Sequence, residues 1–211
     1  MSTDDGGGAP PRRQRLSADE RRAQIVRAVT EVVAVEGYTN ASLTAVASRA
    51  GVAKGLIWHY FEDREDLMRQ AAEDLAGQLR AALVADLDLT APVPDVIRMV
   101  FARTAQFTRT HSAELAAIDQ IVHNLRARDG QQRLTMLDYE NIYADHEALL
   151  RRGQIEGSIR PASIRAMASA YQGLIGSTIG YLQAHPDVEP AEYATHIADL
   201  FLDGAAMPRS G

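Results

Sequence analysis

Hydrophobic residues recur along this 211-residue chain at intervals of three and four, a spacing that predicts a succession of amphipathic helices. The sharpest stripe, at positions i, i+3, i+4 and i+7, consists of Leu43, Val46, Ala47 and Ala50. Ser42 precedes it as an N-cap, and Gly51 follows it, where a residue without a Cβ most easily becomes left-handed. Ile57 and Phe61 give a second, shorter helix an inward edge. This pattern is typical of a helix-turn-helix, whose second helix enters the DNA major groove.

The outward positions of the second helix carry side chains that are unusual for a solvated surface. They are Lys54, Gly55, Leu56, Trp58, His59 and Tyr60. An exposed tip that is both aromatic and cationic indicates a face that contacts DNA. The alternative is that Trp58 and Tyr60 are core residues, although a helix this short cannot bury all of its sides.

The segment from Gly37 to Met68, GYTNASLTAVASRAGVAKGLIWHYFEDREDLM, resembles the N-terminal DNA-binding domain of TetR-family transcriptional regulators. It has the family's Gly-aromatic pair, a helix ending in Ala-Gly-Val, the Lys-Gly step with the aromatic residues and Phe after it, and a charged pair followed by Leu. It departs from the pattern at Ala41, where Thr is common, at Ala53, where Ser usually caps the second helix, and at Trp58, where Tyr is usual.

The resemblance, together with the outward face of the second helix, predicts the residues that bind DNA. Those expected to face base edges are Lys54, Gly55, Leu56 and His59. Those expected to hold phosphates are Thr44, Trp58, Tyr60 and Arg64, with Ser42 beside them. The resemblance also implies a homodimer on a palindromic operator. A small effector would change the separation of the two recognition helices through the helix that begins near Asp63, and repression would be lost.

The chain divides into three predicted parts. Residues 1–16 form a disordered arm, because they are poor in apolar residues and contain Gly6 to Gly8 and two prolines. Its arginines are candidates for DNA phosphates or the minor groove, and a merely solvated tail is the alternative. A capping box at Ser17 and Glu20 opens the first helix of a DNA-binding domain over residues 17–61. Residues 62–205 are expected to form a ligand-binding and dimerisation domain, which makes the whole fold all-α.

Hydrophobic stripes and breaks divide the second domain into six helices. The predicted spans are 63–86, 94–110, 113–128, 131–152, 163–185 and 190–203, with a connector at 153–161 that contains two glycines and a proline. The helix at 163–185 carries small residues at alternating intervals of four and three: Ala166, Ala170, Gly173, Ser177, Gly180 and Ala184. Such a seam lets another helix approach closely, so it predicts the dimer interface, which the last helix completes.

Composition and charge place limits on the function. The net charge is −6, yet residues 1–60 carry eight Lys or Arg against six Asp or Glu, so the basic excess lies in the DNA-binding part. The chain has no cysteine, which excludes disulfides and Cys-based zinc sites. No apolar run is long enough to span a membrane, and no signal core is visible, so we expect a cytoplasmic protein.

Little in the sequence indicates catalysis or a cofactor. Neither a nucleophile elbow nor a P-loop is present, and we expect no enzyme activity, no cofactor and no metal. Asp119 and His123, four residues apart, would make at most half of a metal site, which His146 would join only through folding.

The second domain is expected to bind the effector in a mostly apolar pocket between its helices. The predicted lining comprises Phe101, Phe107, Ile118, Ile121, His123, Tyr139, Tyr143 and Tyr171. This set favours a small, hydrophobic or aromatic effector, and ordinary core packing is the alternative for any one of its members. Two other classes of protein remain open at this stage, a DNA-binding regulator that responds to no ligand and an enzyme with its active site in the second domain.

Overall fold

The computed structural model describes residues 16–125 and 140–205, and within those ranges the chain is helical without any strand. The helices are α1 (Ala18–Glu36), α2 (Leu43–Ala50), α3 (Lys54–Ile57), α4 (Arg64–Val84), α5 (Val93–Thr110), α6 (Ser112–Asn124), α7 (Glu140–Glu156), α8 (Ile164–Ala184) and α9 (Pro190–Ala205). The all-α class with an N-terminal helix-turn-helix is confirmed.

Short polar residues set the starts of four helices, as their positions in the sequence predict. Ser17 and Glu20 form the full capping box of α1, in which the Ser17 hydroxyl accepts from the Glu20 N–H and the Glu20 carboxylate accepts from the Ser17 N–H. Ser42 accepts from the third N–H of α2 at 3.1 Å. Asp63 caps α4 and Ser163 caps α8 in the same way.

The turn between α2 and α3 depends on Gly51. Its backbone is left-handed at φ 63° and ψ 35°, a conformation that glycine adopts without steric cost. The next N–H, of Val52, donates to the Ala47 carbonyl at 3.0 Å and so satisfies an acceptor at the end of α2. This turn fixes the angle at which α3 leaves α2.

Buried apolar side chains gather in two clusters. The N-terminal cluster combines α1, α2, α3 and the first half of α4 with Ala117, Ile121 and Leu125 from the α6 region. The C-terminal cluster is built on α5, α7, α8 and α9. Helix α6 therefore completes the N-terminal cluster, so the N-terminal packing unit extends beyond the segment 17–61.

The predicted connector after residue 152 is wrong in its first part, because α7 continues to Glu156. Gly153 lies inside the helix, where a Cβ would overlap the side chain of Ile159 and would come within 3.0 Å of Val93. This glycine permits a close approach between the end of α7 and the start of α5. The bend follows at Gly157, whose φ is 74°.

Within the described ranges, each helix is either too short or too polar to cross a membrane.

Candidate functional site

Helix α3 is anchored on one side and open on the other. Ile57 and Phe61 lie in the N-terminal cluster and are almost fully buried. Lys54, Gly55 and His59 are exposed, and Trp58 is 45% exposed. Trp58 is therefore a surface residue and not a core residue. A large aromatic side chain in solvent beside a lysine and a histidine is a surface suited to phosphates and bases.

The first turn of α3 is exposed and lacks a side-chain cap. Ala53 occupies the N-cap and makes no side-chain hydrogen bond to the helix. A Cβ added at Gly55 would meet nothing within 4 Å, so the glycine is not required by packing within this chain. The missing side chain leaves room for a large partner to approach the backbone closely.

The remaining predicted DNA contacts differ in how far their side chains are available. Thr44 is exposed on α2, while Leu56 and Tyr60 are half-buried, and Tyr60 packs against the N-terminal cluster. The hydroxyl of Ser42 is already used as the α2 cap. In the absence of DNA, therefore, only some of the predicted DNA-contact side chains are exposed to solvent.

Arg64 has a structural role that the sequence did not indicate. Its guanidinium lies over the Tyr38 ring at 4.5 Å and donates to the Tyr38 carbonyl at 2.6 Å. It also pairs with Glu65 at 3.6 Å. These contacts hold the start of α4 against the turn between α1 and α2, and the expected role of Arg64 in phosphate binding stays a prediction.

The same turn is held from the other side by α6. The backbone N–H of Tyr38 donates to Oε1 of Gln120 at 3.0 Å. Since Ala117 and Ile121 flank Gln120 on α6 and are fully buried in the N-terminal cluster, α6 and α4 both pack against α1 in that cluster. This link joins residues 82 positions apart, and no local pattern in the sequence predicts it.

A buried carboxylate lies in the first turn of α4. Asp66 accepts hydrogen bonds from the Glu62 N–H, Arg69 and Gln70 at 3.1, 2.7 and 2.8 Å. Burial alone would raise its pKa, but the hydrogen bonds and the charge of Arg69 outweigh this and leave the pKa lowered. The ionised carboxylate therefore ties the segment after α3 to the body of α4.

The structure brings three of the predicted effector-binding residues into the C-terminal bundle. Phe101 and Tyr171 lie edge to face with ring centroids 5.4 Å apart, and both are buried. His146, which the sequence indicated only as a remote metal ligand, lies edge to face with Tyr171 at 4.8 Å. Tyr143 is buried, and the Arg165 guanidinium lies over its ring at 4.7 Å. Tyr139 lies outside the described residues.

The other members of the predicted effector set are not part of this group. Ile121 is 0% exposed in the N-terminal cluster, because the apolar stripe of α6 faces α1 and α4. The side chain of His123 is 70% exposed. Phe107 stacks on His111 at 4.3 Å, and Ile118 is half-buried. The structure therefore does not gather all eight residues around one space, and effector binding by the smaller group around Tyr171 stays a prediction.

Two open grooves lie along the surface of α8, at opposite ends of the helix. One, of about 510 Å³, is lined by residues that include Ala166, Ala170 and Leu200. The other, of about 720 Å³, is lined by residues that include Gln120, Gly180 and Ala184. Neither groove is lined by Phe101, Tyr143 or Tyr171.

The six residues of the small-residue seam on α8 are all exposed in the single chain. They are Ala166, Ala170, Gly173, Ser177, Gly180 and Ala184. A Cβ at Gly173 or Gly180 would meet nothing within 4 Å, so contacts inside this chain do not explain the glycines. Leu200 on α9 lines the groove at one end of the seam and is 65% exposed. This apolar face has the character of a surface that packs against another molecule.

The histidine and carboxylate considered as half of a metal site are in contact with each other at the surface. His123 Nδ1 lies 3.0 Å from an Asp119 carboxylate oxygen, and both side chains are largely exposed. His146 lies elsewhere, half-buried beside Tyr171. In the part of the chain that the structure describes, no three His, Asp or Glu side chains are grouped as metal ligands.

Comparison with known proteins bears directly on the helix-turn-helix. The family model of bacterial regulatory proteins of the tetR family matches residues 25–71. The HTH-type transcriptional regulator BetI of Cronobacter sakazakii is 33% identical over 99 residues, which are 46% of this chain and 49% of that protein. The match thus spans about half the length of this relative.

Solved structures resemble almost the whole chain at low sequence identity. A tetR-family transcription regulator from Shewanella sp. PV-4 aligns with a TM-score of 0.70 and 18% identity, covering 89% of this chain and 99% of that one. The regulator FadR of Bacillus subtilis, solved in complex with stearoyl-CoA, aligns with a TM-score of 0.71 and 20% identity, covering 86% and 98% of the two chains. These likenesses extend the shared fold from the N-terminal helices to the C-terminal bundle.

Proposed function

We propose that the chain is a member of the TetR family of bacterial transcriptional regulators, and that it acts as a homodimeric repressor released from a palindromic operator by a small effector. Residues 17–61 carry the DNA contacts in this proposal. Residues 62–205 dimerise and bind the effector, although α6 of that part also supports the N-terminal core.

One observation carries the DNA-binding part of the proposal, namely the exposed face formed by α3 and the turn that follows it. Its inner side is fixed by Ile57 in the core, while Lys54, Trp58 and His59 project into solvent. In a helix-turn-helix, side chains at the start of the second helix contact base edges in the major groove. Lys54 lies at that position and can donate to guanine O6 or N7.

The exposed seam on α8 supports the homodimer. A twofold axis places the same surface of each copy against the other, and a row of small residues allows two helices to approach closely. Two copies arranged in this way present two α3 helices, which suits half-sites about one helical turn apart.

The group around Tyr171 supports effector binding. It lies on α5, α7 and α8, which share the C-terminal cluster, while α4 and α6 connect that part of the chain to the helix-turn-helix. A molecule that binds the form unable to engage DNA a hundredfold more tightly shifts the equilibrium by about 2.7 kcal/mol. That is sufficient to release an operator when the two forms are close in energy.

The experiment that tests the proposal is selection from a random duplex DNA library by the purified protein. We expect enrichment of sequences with twofold symmetry and half-sites about one turn apart, bound with a stoichiometry of two protomers. Enrichment of asymmetric single sites would contradict the dimeric operator. An effector screen against the selected duplex then separates a ligand-responsive repressor from a regulator that responds to no ligand.

A further inference from the structure

Five side-chain polar atoms on α5, α7 and α8 are buried without a hydrogen-bond partner among the described residues. Two are the Nε atoms of Arg103 and Arg152, and the other three are Thr104 Oγ1 on α5, His146 Nδ1 on α7 and Tyr171 OH on α8. Thr104 is fully buried and Tyr171 is 1% exposed. Native proteins pair nearly all such groups because an unpaired one loses its hydration and gains nothing in return.

Two of the last three side chains, His146 and Tyr171, are in direct contact. The ring of His146 meets that of Tyr171 edge to face, and Phe101 meets Tyr171 from the other helix at 5.4 Å. Thr104 lies one helical turn beyond Phe101 on the same face of α5. Phe201 of α9 packs against Tyr171 at 5.3 Å. Three helices thus contribute hydrogen-bonding atoms to an otherwise aromatic and apolar interior.

The group offers hydrogen bonds but no charge. Burial raises the pKa of Tyr171, so the phenol keeps its proton and remains a donor. Burial lowers the pKa of His146 to about 4, so its imidazole is neutral near pH 7. The charged side chains that act on His146 are Asp145 of α7, which opposes this shift, and Arg80 of α4, which adds to it. Because Asp145 and Arg80 carry opposite charges, together they favour neither an anion nor a cation beside His146.

We propose that the effector is a neutral molecule with an apolar body and one hydrogen-bonding head, such as an alcohol, and that its head binds Thr104, His146 and Tyr171. The inference rests on the proposed function, because it specifies the effector which that function requires. A hydroxyl both donates and accepts, so it can satisfy two or three of these atoms at once. A carboxylate or an ammonium would lose its hydration there without an opposite charge.

The test uses three probes that share an apolar chain and differ in charge at pH 7, namely 1-octanol, octanoate and octylamine. Binding is measured by calorimetric titration and by the shift in melting temperature. We expect 1-octanol to bind at least tenfold more tightly than either ion. We also expect Tyr171→Phe and Thr104→Val each to weaken binding of 1-octanol roughly five- to tenfold, the value of one neutral hydrogen bond.

Both variants are expected to fold, because each replaces an unpartnered hydroxyl with an apolar group of similar shape. Tyr181→Phe is the matched control, since Tyr181 lies on the same helix but is 39% exposed. It should bind 1-octanol like the unmodified protein. Octanoate or octylamine binding as tightly as 1-octanol would overturn the inference, and so would unchanged affinity in both hydroxyl variants.

Failure of all three probes to bind would also overturn the inference. A titration of the selected operator duplex on the same protein sample distinguishes this result from a failure of the proposed function. Intact operator binding without any probe binding contradicts only the neutral effector, whereas loss of both contradicts the regulator itself.

Discussion

At the scale of single residues, Lys54 is the clearest test of base recognition. It lies at the exposed start of α3 and is the single lysine of the chain. If Lys54 donates to guanine, Lys54→Ala should weaken binding to the selected operator by about 1–3 kcal/mol and relax the preference at one position of each half-site.

Tyr60→Phe should weaken binding to all sequences alike, because a phosphate contact carries no sequence information. Both are measured by fluorescence anisotropy at fixed salt.

Arg151→Ala is the control for removal of one positive charge. Arg151 is exposed on α7 and pairs with Glu147 only at 3.9 Å. Its removal should leave both affinity and sequence preference unchanged. If Lys54→Ala retained full affinity and full preference, the assignment of the α3 face would be wrong.

A second prediction at the residue scale concerns the pH dependence of stability. Burial lowers the pKa of His146 to about 4, whereas an unfolded chain leaves histidine near 6.5. As the pH falls, the imidazole of His146 is therefore protonated at a higher pH in the unfolded state than in the folded state. The stabilising contribution of the neutral imidazole is complete above pH 6.5 and is lost progressively down to pH 4. The total loss is at most about 3 kcal/mol.

Urea denaturation at pH 7 and pH 5 measures this effect. The unmodified protein should lose stability between the two values, and His146→Gln should lose distinctly less. His196, exposed on α9, supplies the control, because His196→Gln should keep the pH dependence of the unmodified protein. An identical slope in His146→Gln and the unmodified protein would show that His146 is not the responsible group.

Local signals made several single residues predictable. Ser17, Ser42 and Asp63 cap helices, and Gly51 makes the left-handed turn, because each acts on backbone groups only a few positions away. The internal role of Arg64 was not predictable in this way. Its partner at Tyr38 is 26 positions distant, so the family resemblance placed the guanidinium on phosphate instead.

At the scale of elements, α6 is the helix whose role changed most. Its apolar stripe was predicted correctly, but a stripe does not identify the surface it faces. Ile121 was assigned to an effector pocket, and the structure places it in the N-terminal cluster with α1 and α4. Gly153 gives a similar lesson. Composition indicated that Gly153 breaks the helix. Gly153 instead lies inside α7, where its lack of a side chain lets Ile159 pack closely against the helix.

The position of Ile121 makes this residue a test of whether α6 supports the DNA-binding part. Ile121 is fully buried beside α1 and α4, so a change there should disturb the packing of the N-terminal cluster. We predict that Ile121→Ala lowers the free energy of unfolding by about 2–4 kcal/mol. Operator affinity should fall with it, because α6 supports the turn at Tyr38 through Gln120.

Thermal denaturation and operator titration measure the two effects. Ile118→Ala is the matched control, since Ile118 lies on the same helix but is only half-buried and should cost less in both. Unchanged operator affinity in folded Ile121→Ala would show that α6 does not support the DNA-binding part.

At the scale of the whole molecule, the exposed seam on α8 predicts the dimer. Gly173→Leu and Gly180→Leu each introduce a bulky side chain where the single chain leaves open space, so the protomer should still fold. Two helices in close contact would be forced apart, and such overpacking typically costs about 1–3 kcal/mol. Sedimentation velocity should therefore show a shift from dimer to monomer at low micromolar concentration.

Gly77→Leu is the control for this change. Gly77 lies on α4 and also has nothing within 4 Å of an added Cβ, but it is not part of the seam. It should sediment as the unmodified protein does. An unchanged dimer in both seam variants would reject the seam as the interface.

The central claim is that the exposed start of α3 contacts the operator, and acylation of Lys54 tests it most directly. Because the chain has one lysine, an amine-reactive reagent modifies a single side chain, and the extent of reaction is measured by mass spectrometry of the peptide that contains it. The account predicts that the selected operator duplex slows modification of Lys54 strongly, while a scrambled duplex at the same concentration and salt does so much less. Equal reactivity of Lys54 in the free protein and in a saturated operator complex would contradict it.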